Sequence, residues 1–393
     1  MTNRPQAADD EPQAADDGPG VGDHGGGVWS IPVPIPDNPL GHTLVHLIET
    51  DAGPVLIDTG WDDPASWQAL ADGLAACGTS VDALHGVVVT HHHPDHHGLS
   101  ARVREESGAW IAMHPADAAI VRRTRDSDRR QWLGYLAEKL AAAGAPDSHT
   151  APLRTALAQG GSGTLPGARA ALPDREIEPN ELLALPGRRL RAVWTPGHTP
   201  GHVCLHLEEQ HPGREGSRDD ARERRQEGGE ERSLEGSRER QQAGRRGGRL
   251  FSGDHLLPTI SPHIGLYEDP DSDEITDPLG DYLDSLERIA RLRPAEVLPA
   301  HQHAFADARA RVDELTAHHA ERLSDLRALL SDRDLTPWQL AEAMRWNRPW
   351  EQIPFGSRNI AVAEAEAHLR HLVELGHAEA VPGSAPVTYR ATG

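Results

Sequence analysis

The stretch Thr90-His91-His92-His93-Pro94-Asp95-His96-His97-Gly98 directly follows the apolar residues Val87 to Val89. It offers four side chains of the metal-ligand type from one short loop: His91, His93, Asp95 and His96. The β-branched run before it predicts a buried strand, so the loop begins where that strand ends and its side chains can converge. Imidazole and carboxylate groups together suit Zn²⁺ or another borderline transition metal. The stretch therefore predicts a metal site.

Three further candidate ligands stand at similar places along the chain. Each follows an apolar run that reads as a strand, and the three residues are His198, Asp254 and His301. His198 lies in the turn Thr195-Pro196-Gly197-His198, where Pro and Gly end the strand. Four strand ends that supply His and Asp in this order support one another as a single site.

These motifs, together with Val55-Leu56-Ile57-Asp58-Thr59-Gly60, resemble those of the metallo-β-lactamase-fold hydrolases over roughly residues 28–317. The resemblance implies the α/β class, as an αββα sandwich. It includes features of the glyoxalase II-like and lactamase-β-2-like branches. By position, the resemblance implies that one metal is held by His91, His93 and His198, that a second is held by Asp95, His96 and His301, and that Asp254 bridges the two.

The chemistry that this resemblance implies needs no serine or cysteine nucleophile. Two divalent ions lower the pKa of a shared water and so supply a metal-bound hydroxide near neutral pH. Asp95 is the predicted catalytic residue, because it can orient the attacking water or shuttle its proton. Asp58 is predicted to hold the histidine loop through hydrogen bonds, with a direct catalytic role as the alternative. Two Zn²⁺ ions are the expected cofactors, and iron or manganese would suit the same ligands.

Other residues near the motifs are candidates for contact with the substrate. His255 and His303 each adjoin a predicted ligand, and His263 and Tyr267 follow Asp254 in the chain. Apolar residues at helical spacing predict a helix over 128–143 that ends at Gly144. In the family that the chain resembles, such an insertion covers the metal cleft; simple packing on the sandwich is the alternative.

The amino-acid composition restricts which partners the protein is expected to bind. The formal net charge of −22 disfavours avid binding to a phosphate backbone. Two widely separated cysteines make a disulfide framework unexpected. No secretory signal and no apolar span of membrane length is visible in the sequence. We therefore expect a cytoplasmic protein that binds no membrane and acts on a small molecule.

The chain divides into segments of different character. Residues 1–27 are acidic and rich in glycine, and residues 208–248 interleave Arg and Glu with few apolar residues; both are predicted to be disordered. The rest of 28–317 forms the predicted hydrolase domain. Residues 318–393 predict helices followed by two short strands, which resembles a winged-helix-like domain. From residue 334 onward, seven acidic residues outnumber five arginines, so a structural or homodimer-forming tail is favoured over a DNA-binding one.

Three functional hypotheses follow from these features. The first is a dinuclear metal-dependent hydrolase that cleaves a small ester or thioester, similar to hydroxyacylglutathione hydrolases. The alternative is a metal-dependent endoribonuclease of the lactamase-β-2-like type, because the same site can stabilise charge on a phosphoryl group. A non-enzymatic regulator with a vestigial site is disfavoured, since all seven candidate ligands are present.

Overall fold

Two β-sheets form the centre of the fold. The structure is a computed structural model that describes residues 20–160, 165–208, 247–267 and 275–392. Within these residues the first sheet contains strands in chain order: β1 (Gly22–Asp23), β2 (Val28–Pro34), β3 (His42–Ile48), β4 (Val55–Ile57), β5 (Gly86–Val88), β6 (Trp110–Met113) and β7 (Arg175–Glu176). Its β4, β5 and β6 run parallel to one another.

The second sheet is assembled from the later part of the chain. Its strands are β8 (Leu182–Leu183), β9 (Leu190–Trp194), β10 (Val203–Leu207), β11 (Arg249–Gly253) and β12 (Glu296–Pro299), and they lie side by side in sequence order. Strand β10 pairs antiparallel with β11, with Leu205 opposite Phe251. Strands β11 and β12 are parallel.

Alternation along the strands divides the apolar residues between an inner and an outer layer. In β4, Ile57 faces the core between the two sheets, whereas Leu56 faces the outer side of the first sheet. In β11, Phe251 joins the core between the sheets and Leu250 faces the other way. Successive side chains of a strand point to opposite faces, so both faces of both sheets must be covered.

Helices supply that cover on each side. The first group comprises α1 (Pro64–Ala76), α2 (Pro94–His97), α3 (Ser100–Ser107), α4 (Pro115–Asp126), α5 (Arg129–Ala142) and α6 (Asp147–Ala158). Helices α1 and α3 bury Leu70, Leu74 and Val103 against the first sheet. On the second sheet, α7 (Pro278–Leu292) buries Leu286 and Ile289. The layers are helix, sheet, sheet and helix, so the predicted αββα sandwich is confirmed.

The last part of the chain is helical and ends in a small ribbon. It contains α8 (Ala308–Asp332), α9 (Pro337–Ala343), α10 (Phe355–Glu374) and the antiparallel strands β13 (Ala378–Ala380) and β14 (Tyr389–Ala391). The domain boundary predicted between residues 317 and 318 falls inside α8 and stays a prediction. No Gly or Pro interrupts residues 308–332, and one continuous helix crosses the predicted boundary. The winged-helix-like assignment stays a prediction.

The helix predicted over 128–143 is α5, and it packs on the C-terminal helices. Leu140 and Ala143 share one apolar cluster with Leu330 and Trp338. Its residues Trp132 and Tyr135 are 43% and 56% exposed. The buried face of α5 therefore packs on the C-terminal helices and not on the sandwich. A role in the substrate pocket stays a prediction for its exposed face.

The described part of the N-terminal segment contains a strand, whereas the sequence predicts disorder there. Residues 20–27, predicted to be disordered with the rest of 1–27, contain β1, and Gly22 pairs with Ser30. Arg188 and Arg249 donate hydrogen bonds to the backbone carbonyls of residues 24–27. These arginines are distant in sequence, which is why local composition misses the contact. Residues 1–19 and 209–246, also predicted to be disordered, lie outside the described residues.

None of the helices in the described part of the chain is both long enough and apolar enough to cross a membrane.

Two helical glycines test how tightly the outer layer packs. A Cβ on Gly73 in α1 would lie 2.2 Å from Ile31 Cγ2, whereas a Cβ on Gly134 in α5 would meet no atom within 4 Å. We expect Gly73→Ala to lower the free energy of unfolding by about 1–3 kcal/mol through overpacking. We expect Gly134→Ala to raise it by about 0.4–1 kcal/mol, because alanine restricts the unfolded chain. Urea unfolding measures both, and equal effects would contradict this packing.

Candidate metal centre

The loop after β5 is shaped so that its side chains turn to one side. His93 lies just before α2 with an extended backbone, and Pro94 occupies the first turn of that helix. Proline suits this position because its ring fixes the helical φ and it lacks an N–H that would be unpaired there. The single turn of α2 then places Asp95 and His96 beside the extended part of the loop. The local sequence thereby brings four candidate ligands together.

Three histidines form the first cluster, which consists of His91, His93 and His198. His91 Nε2 lies 3.0 Å from His93 Nδ1 and 3.3 Å from His198 Nε2. The distance from His198 Nε2 to His93 Nδ1 is 3.1 Å. Two nitrogens at tetrahedral positions about 2.0–2.1 Å from a zinc ion lie about 3.3 Å apart. The spacing of the first cluster therefore fits a metal ion.

Asp95, His96 and His301 form the second cluster. His96 Nε2 and His301 Nε2 each lie 3.4 Å from Asp95 Oδ2. Asp254 stands between the two clusters. Its Oδ1 is 3.4 Å from His96 Nε2 and 3.2 Å from His301 Nε2, and its Oδ2 is 3.6 Å from His198 Nε2. One carboxylate thus contacts both clusters, as the predicted bridging role requires.

Glycine allows Asp254 to stand so close to the loop. Gly253 has a left-handed backbone with φ of 51°, and a Cβ there would lie 2.7 Å from His202 Nε2 and 3.1 Å from Thr90. His202 Nε2 in turn accepts a hydrogen bond from the Asp254 N–H at 3.3 Å. The end of β11 therefore fits against the histidine loop only without a side chain at position 253.

In three of the ligand rings, the nitrogen that faces away from the site is held by the protein. His96 Nδ1 donates to Asp58 Oδ2 at 2.8 Å, His198 Nδ1 donates to the His263 carbonyl at 2.6 Å, and His301 Nδ1 donates to the His42 carbonyl at 3.0 Å. Because these acceptors hold the Nδ1 protons, each neutral ring presents an unprotonated Nε2 to the site. Lone pairs from three rings therefore point at the same small volume.

Among these three acceptors, the Asp58 carboxylate accepts the largest number of hydrogen bonds from the described residues. Its carboxylate accepts the Thr90 N–H at 2.8 Å, the Thr90 hydroxyl at 2.8 Å and the His96 ring. The Thr90 oxygen is then free to accept from His91 Nδ1 at 3.1 Å. Asp58 is buried behind the ligands, so its surroundings are those of the predicted loop-holding role and not of a group that touches substrate.

The pKa shifts of the histidines and carboxylates in the two clusters favour binding of a cation. Burial, followed by the neighbouring histidines, lowers the pKa of His91 and of His93 well below the usual value. Burial alone would raise the pKa of Asp254, but His301 and His96 outweigh it and hold that pKa well below its usual range. Burial would lower the pKa of His301, yet Asp254 and Asp95 raise it to about 10. The two carboxylates therefore stabilise positive charge beside His301.

Buried atoms without partners test the fit of a metal directly. His96 Nε2, His301 Nε2 and Asp254 Oδ1 are buried and make no hydrogen bond of good geometry among the described residues, although Asp254 Oδ1 lies 3.2–3.4 Å from both nitrogens. A buried polar atom left unpaired costs free energy, and most such atoms in proteins are paired. Here the three atoms converge, and they belong to the residue types that bind zinc, iron and manganese. The residues present therefore fit the expected metal ions.

The predicted substrate contacts are placed in different ways. His255 is fully buried with its ring 4.8 Å from that of Tyr282, which does not suit contact with a substrate. His255 lies in a turn at the end of β11, where its N–H donates to the Ser252 carbonyl at 3.0 Å, and its ring lies beside α7. The Tyr267 hydroxyl donates to Asp281 on α7, and His263 contacts His198 through its backbone carbonyl. His303 is exposed, and its role stays a prediction.

The sequence analysis missed Asp117, which joins two ligand loops. Its buried carboxylate accepts hydrogen bonds from the His92 N–H and ring, from the Thr199 hydroxyl and from the Gly201 N–H. It thereby ties the loop of His91 and His93 to the turn of His198. In the sequence, Asp117 reads as an ordinary acidic residue in the first turn of a helix. Only its long-range contacts show the difference.

Replacing Asp117 tests this connection. Asp117→Asn keeps one acceptor oxygen, so at least one buried donor loses its partner, at a cost of about 1–3 kcal/mol for each such group. Burial would raise the pKa of Asp117, but His92 outweighs it and the pKa is lowered. The stabilisation is therefore present above the unfolded-state pKa and is lost as the pH falls through the folded-state value.

Urea unfolding of the metal-free protein from neutral to acidic pH measures this effect. The difference between wild type and Asp117→Asn should be largest near neutral pH and should shrink in acid. Asp126→Asn, an exposed change on the same helix, is the matched control and should stay within about 0.5 kcal/mol of wild type. A difference between wild type and Asp117→Asn that is independent of pH would contradict the assigned role.

Comparison with known proteins places this geometry in a family. A family model described as the metallo-beta-lactamase superfamily matches residues 38–211. The probable metallo-hydrolase YqjP of Bacillus subtilis is 24% identical over 320 residues, which are 81% of this chain and 84% of that protein. The match covers the histidine loop, β9 and β10, and the relative extends the similarity over most of the chain.

Solved structures extend the comparison to the C-terminal helices. A metallo-beta-lactamase family protein from Thermus thermophilus is 29% identical and aligns with a TM-score of 0.67 over 93% of this chain and 99% of that one. A beta-lactamase domain protein from Burkholderia ambifaria, 22% identical, has the same fold with a TM-score of 0.68 over 96% of each chain. With the ligand geometry described above, these similarities show that the chain has the metallo-β-lactamase fold, matches the superfamily over residues 38–211 and is a metal-dependent hydrolase.

Proposed function

We propose that the protein is a dinuclear metal-dependent hydrolase that cleaves a small ester or thioester. The observation that carries this proposal is the position of Asp254 between two clusters of ligands, one of three histidines and one of Asp95, His96 and His301. When bound there, two zinc ions, or iron or manganese in their place, supply Lewis acids and lower the pKa of a water molecule. The remaining chemistry depends on the side chains.

Asp95 is the group best placed to handle the attacking water. Its side chain is 16% exposed, whereas those of His96 and His301 are at most 1% exposed, so solvent approaches the second cluster beside this carboxylate. Burial alone would raise the pKa of Asp95, but His96 and His301 outweigh it and keep the group ionised. The Thr43 hydroxyl donates to Asp95 Oδ2 at 3.3 Å and fixes its orientation.

An ionised, oriented carboxylate can accept a hydrogen bond from water and then its proton. In the proposed reaction, the water oxygen adds to the carbonyl carbon of the substrate and Asp95 takes up the proton. The carbon–oxygen or carbon–sulfur bond then breaks, and the proton passes to the departing oxygen or sulfur. The products are a carboxylic acid and an alcohol or thiol, so atoms and charges balance.

Charge supports a small substrate over a nucleic acid. The chain has a net charge of −22, and arginines of its C-terminal part form ion pairs with carboxylates. Arg322 pairs with Glu364, and Arg390 pairs with Asp334. Binding to a phosphate backbone requires cationic groups that can displace its counterions. These pairs therefore favour a small molecule over RNA.

Metal content is the first test. We expect about two metal ions per chain in the zinc-replete wild type, and fewer in Asp254→Ala, because that variant loses the carboxylate between the clusters. Elemental analysis after gel filtration measures the ratio. Asp72→Ala, an exposed change on α1, should retain the wild-type ratio. A wild type that retains no more than one ion would contradict the dinuclear assignment.

Turnover is the second test. The metal-replete protein is assayed with a panel of acyl esters and thioesters and, in parallel, with a structured RNA. We expect metal-dependent acyl cleavage that falls by more than about 100-fold in Asp254→Ala, the order found when a group that stabilises the transition state is removed. The Asp72→Ala protein should keep its activity. Cleavage of RNA without cleavage of any acyl substrate would overturn the proposal.

A further inference from the structure

The segment that follows Asp254 lies between the metal centre and the C-terminal helices. We call residues 257–264 the bridging segment. On the side of the metal centre, the carbonyl of His263 accepts the hydrogen bond from His198 Nδ1 at 2.6 Å. This bond directs His198 Nε2 at His91 and His93. The position of one ligand therefore depends on the position of the bridging segment.

Helix α8 holds the first half of the bridging segment through one side chain. Arg311 Nε donates to the Leu257 carbonyl at 2.7 Å, and its Nη2 donates to the Ile260 carbonyl at 2.9 Å. The Arg311 side chain is only 13% exposed. A planar guanidinium with fixed donors can satisfy two carbonyls at once, which the single ammonium of lysine cannot do in the same geometry.

Helix α10 holds the second half. Glu364 Oε2 lies 3.5 Å from His263 Nδ1, and Glu364 Oε1 lies 3.2 Å from Arg322 of α8. Burial alone would raise the pKa of Glu364, but His263 and Arg322 lower it to about 2, so the group is ionised. Next to this contact, Ile264 is fully buried in the apolar cluster that includes Ala367 of α10.

We propose that Arg311 and Glu364 are positioning residues through which the C-terminal helices set the affinity of the first cluster for its metal ion. By fixing the bridging segment, they hold the His263 carbonyl against His198, so that this ligand is oriented before a metal binds. Groups that orient metal ligands typically change metal affinity by about 10–100-fold when they are mutated. The inference rests on the metal binding that the proposed function requires, and it adds a role for helices outside the sandwich.

Two variants and two matched controls separate this role from general effects on α8 and α10. Arg311→Lys and Glu364→Gln each remove one attachment of the bridging segment. Arg309→Lys changes the same residue type on α8 at a side chain that pairs with Glu287 and Asp313. Glu366→Gln changes the same residue type on α10 at a side chain that pairs with Arg370. The controls therefore leave the bridging segment untouched.

The measurement is Co²⁺ binding to the metal-free full chain, with a chelator in competition and the visible absorption of the bound ion as the signal. His198→Ala serves as the reference that identifies the signal of the first cluster. We expect about 10–100-fold weaker binding at the first cluster in Arg311→Lys and Glu364→Gln. The second cluster and both controls should bind Co²⁺ as wild type does. The unfolding midpoint of each metal-free variant shows that its fold is retained.

Unchanged Co²⁺ affinity at the first cluster in a folded Arg311→Lys or Glu364→Gln protein would overturn the role of that residue. An equal loss in the controls would overturn it as well, because the effect would then belong to the helices in general. Failure of the proposed function is seen separately, as a wild-type chain that binds no Co²⁺ at either cluster. If one variant cannot be purified in a folded state, the other decides whether the bridging segment governs affinity.

Discussion

The candidate metal centre depends on one constraint, which is that the outer nitrogens of three of its ligand rings are committed to acceptors in the protein. Asp58, the His263 carbonyl and the His42 carbonyl hold the Nδ1 protons of His96, His198 and His301. In the neutral form of these rings, the opposite nitrogens then present lone pairs to the site. Without the His263 carbonyl, His198 Nε2 could instead carry the proton and donate it to His91 Nε2, which lies 3.3 Å away.

Much of the fold and of the site could be predicted because both follow from short, local patterns in the sequence. Strands β9 and β10, for example, are short and mostly apolar runs that end close to Pro, Gly or a charged residue. The ligand residues stand directly after such runs, so the pattern alone places them at strand ends. Asp58 could be predicted for the same reason. Its φ of 63° is a backbone conformation that aspartate tolerates better than most residues.

What could not be predicted depends on contacts between distant parts of the chain. Asp117, Arg311 and Glu364 look like ordinary charged residues of helices, because their partners lie 25 to 101 residues away. Residues 20–27 have the composition of a disordered tail, and hydrogen bonds from Arg188 and Arg249 help to give them a defined place. In each case the missing information is a long-range hydrogen bond that composition and periodicity do not encode.

The topology explains why ligands from widely separated parts of the sequence meet at one edge. Strand β5 runs parallel to β4 in the first sheet, and β12 runs parallel to β11 in the second, so in each pair the carboxyl ends coincide. Asp58 and His91 follow the first pair, and Asp254 and His301 follow the second. His198 lies in the turn between the antiparallel β9 and β10, beside the same edge. Because the two sheets pack face to face through one apolar core, these two edges are held against each other. The relative placement of the two clusters is therefore set by the packing of the sheets, and the C-terminal helices act only on the orientation of His198 within that frame.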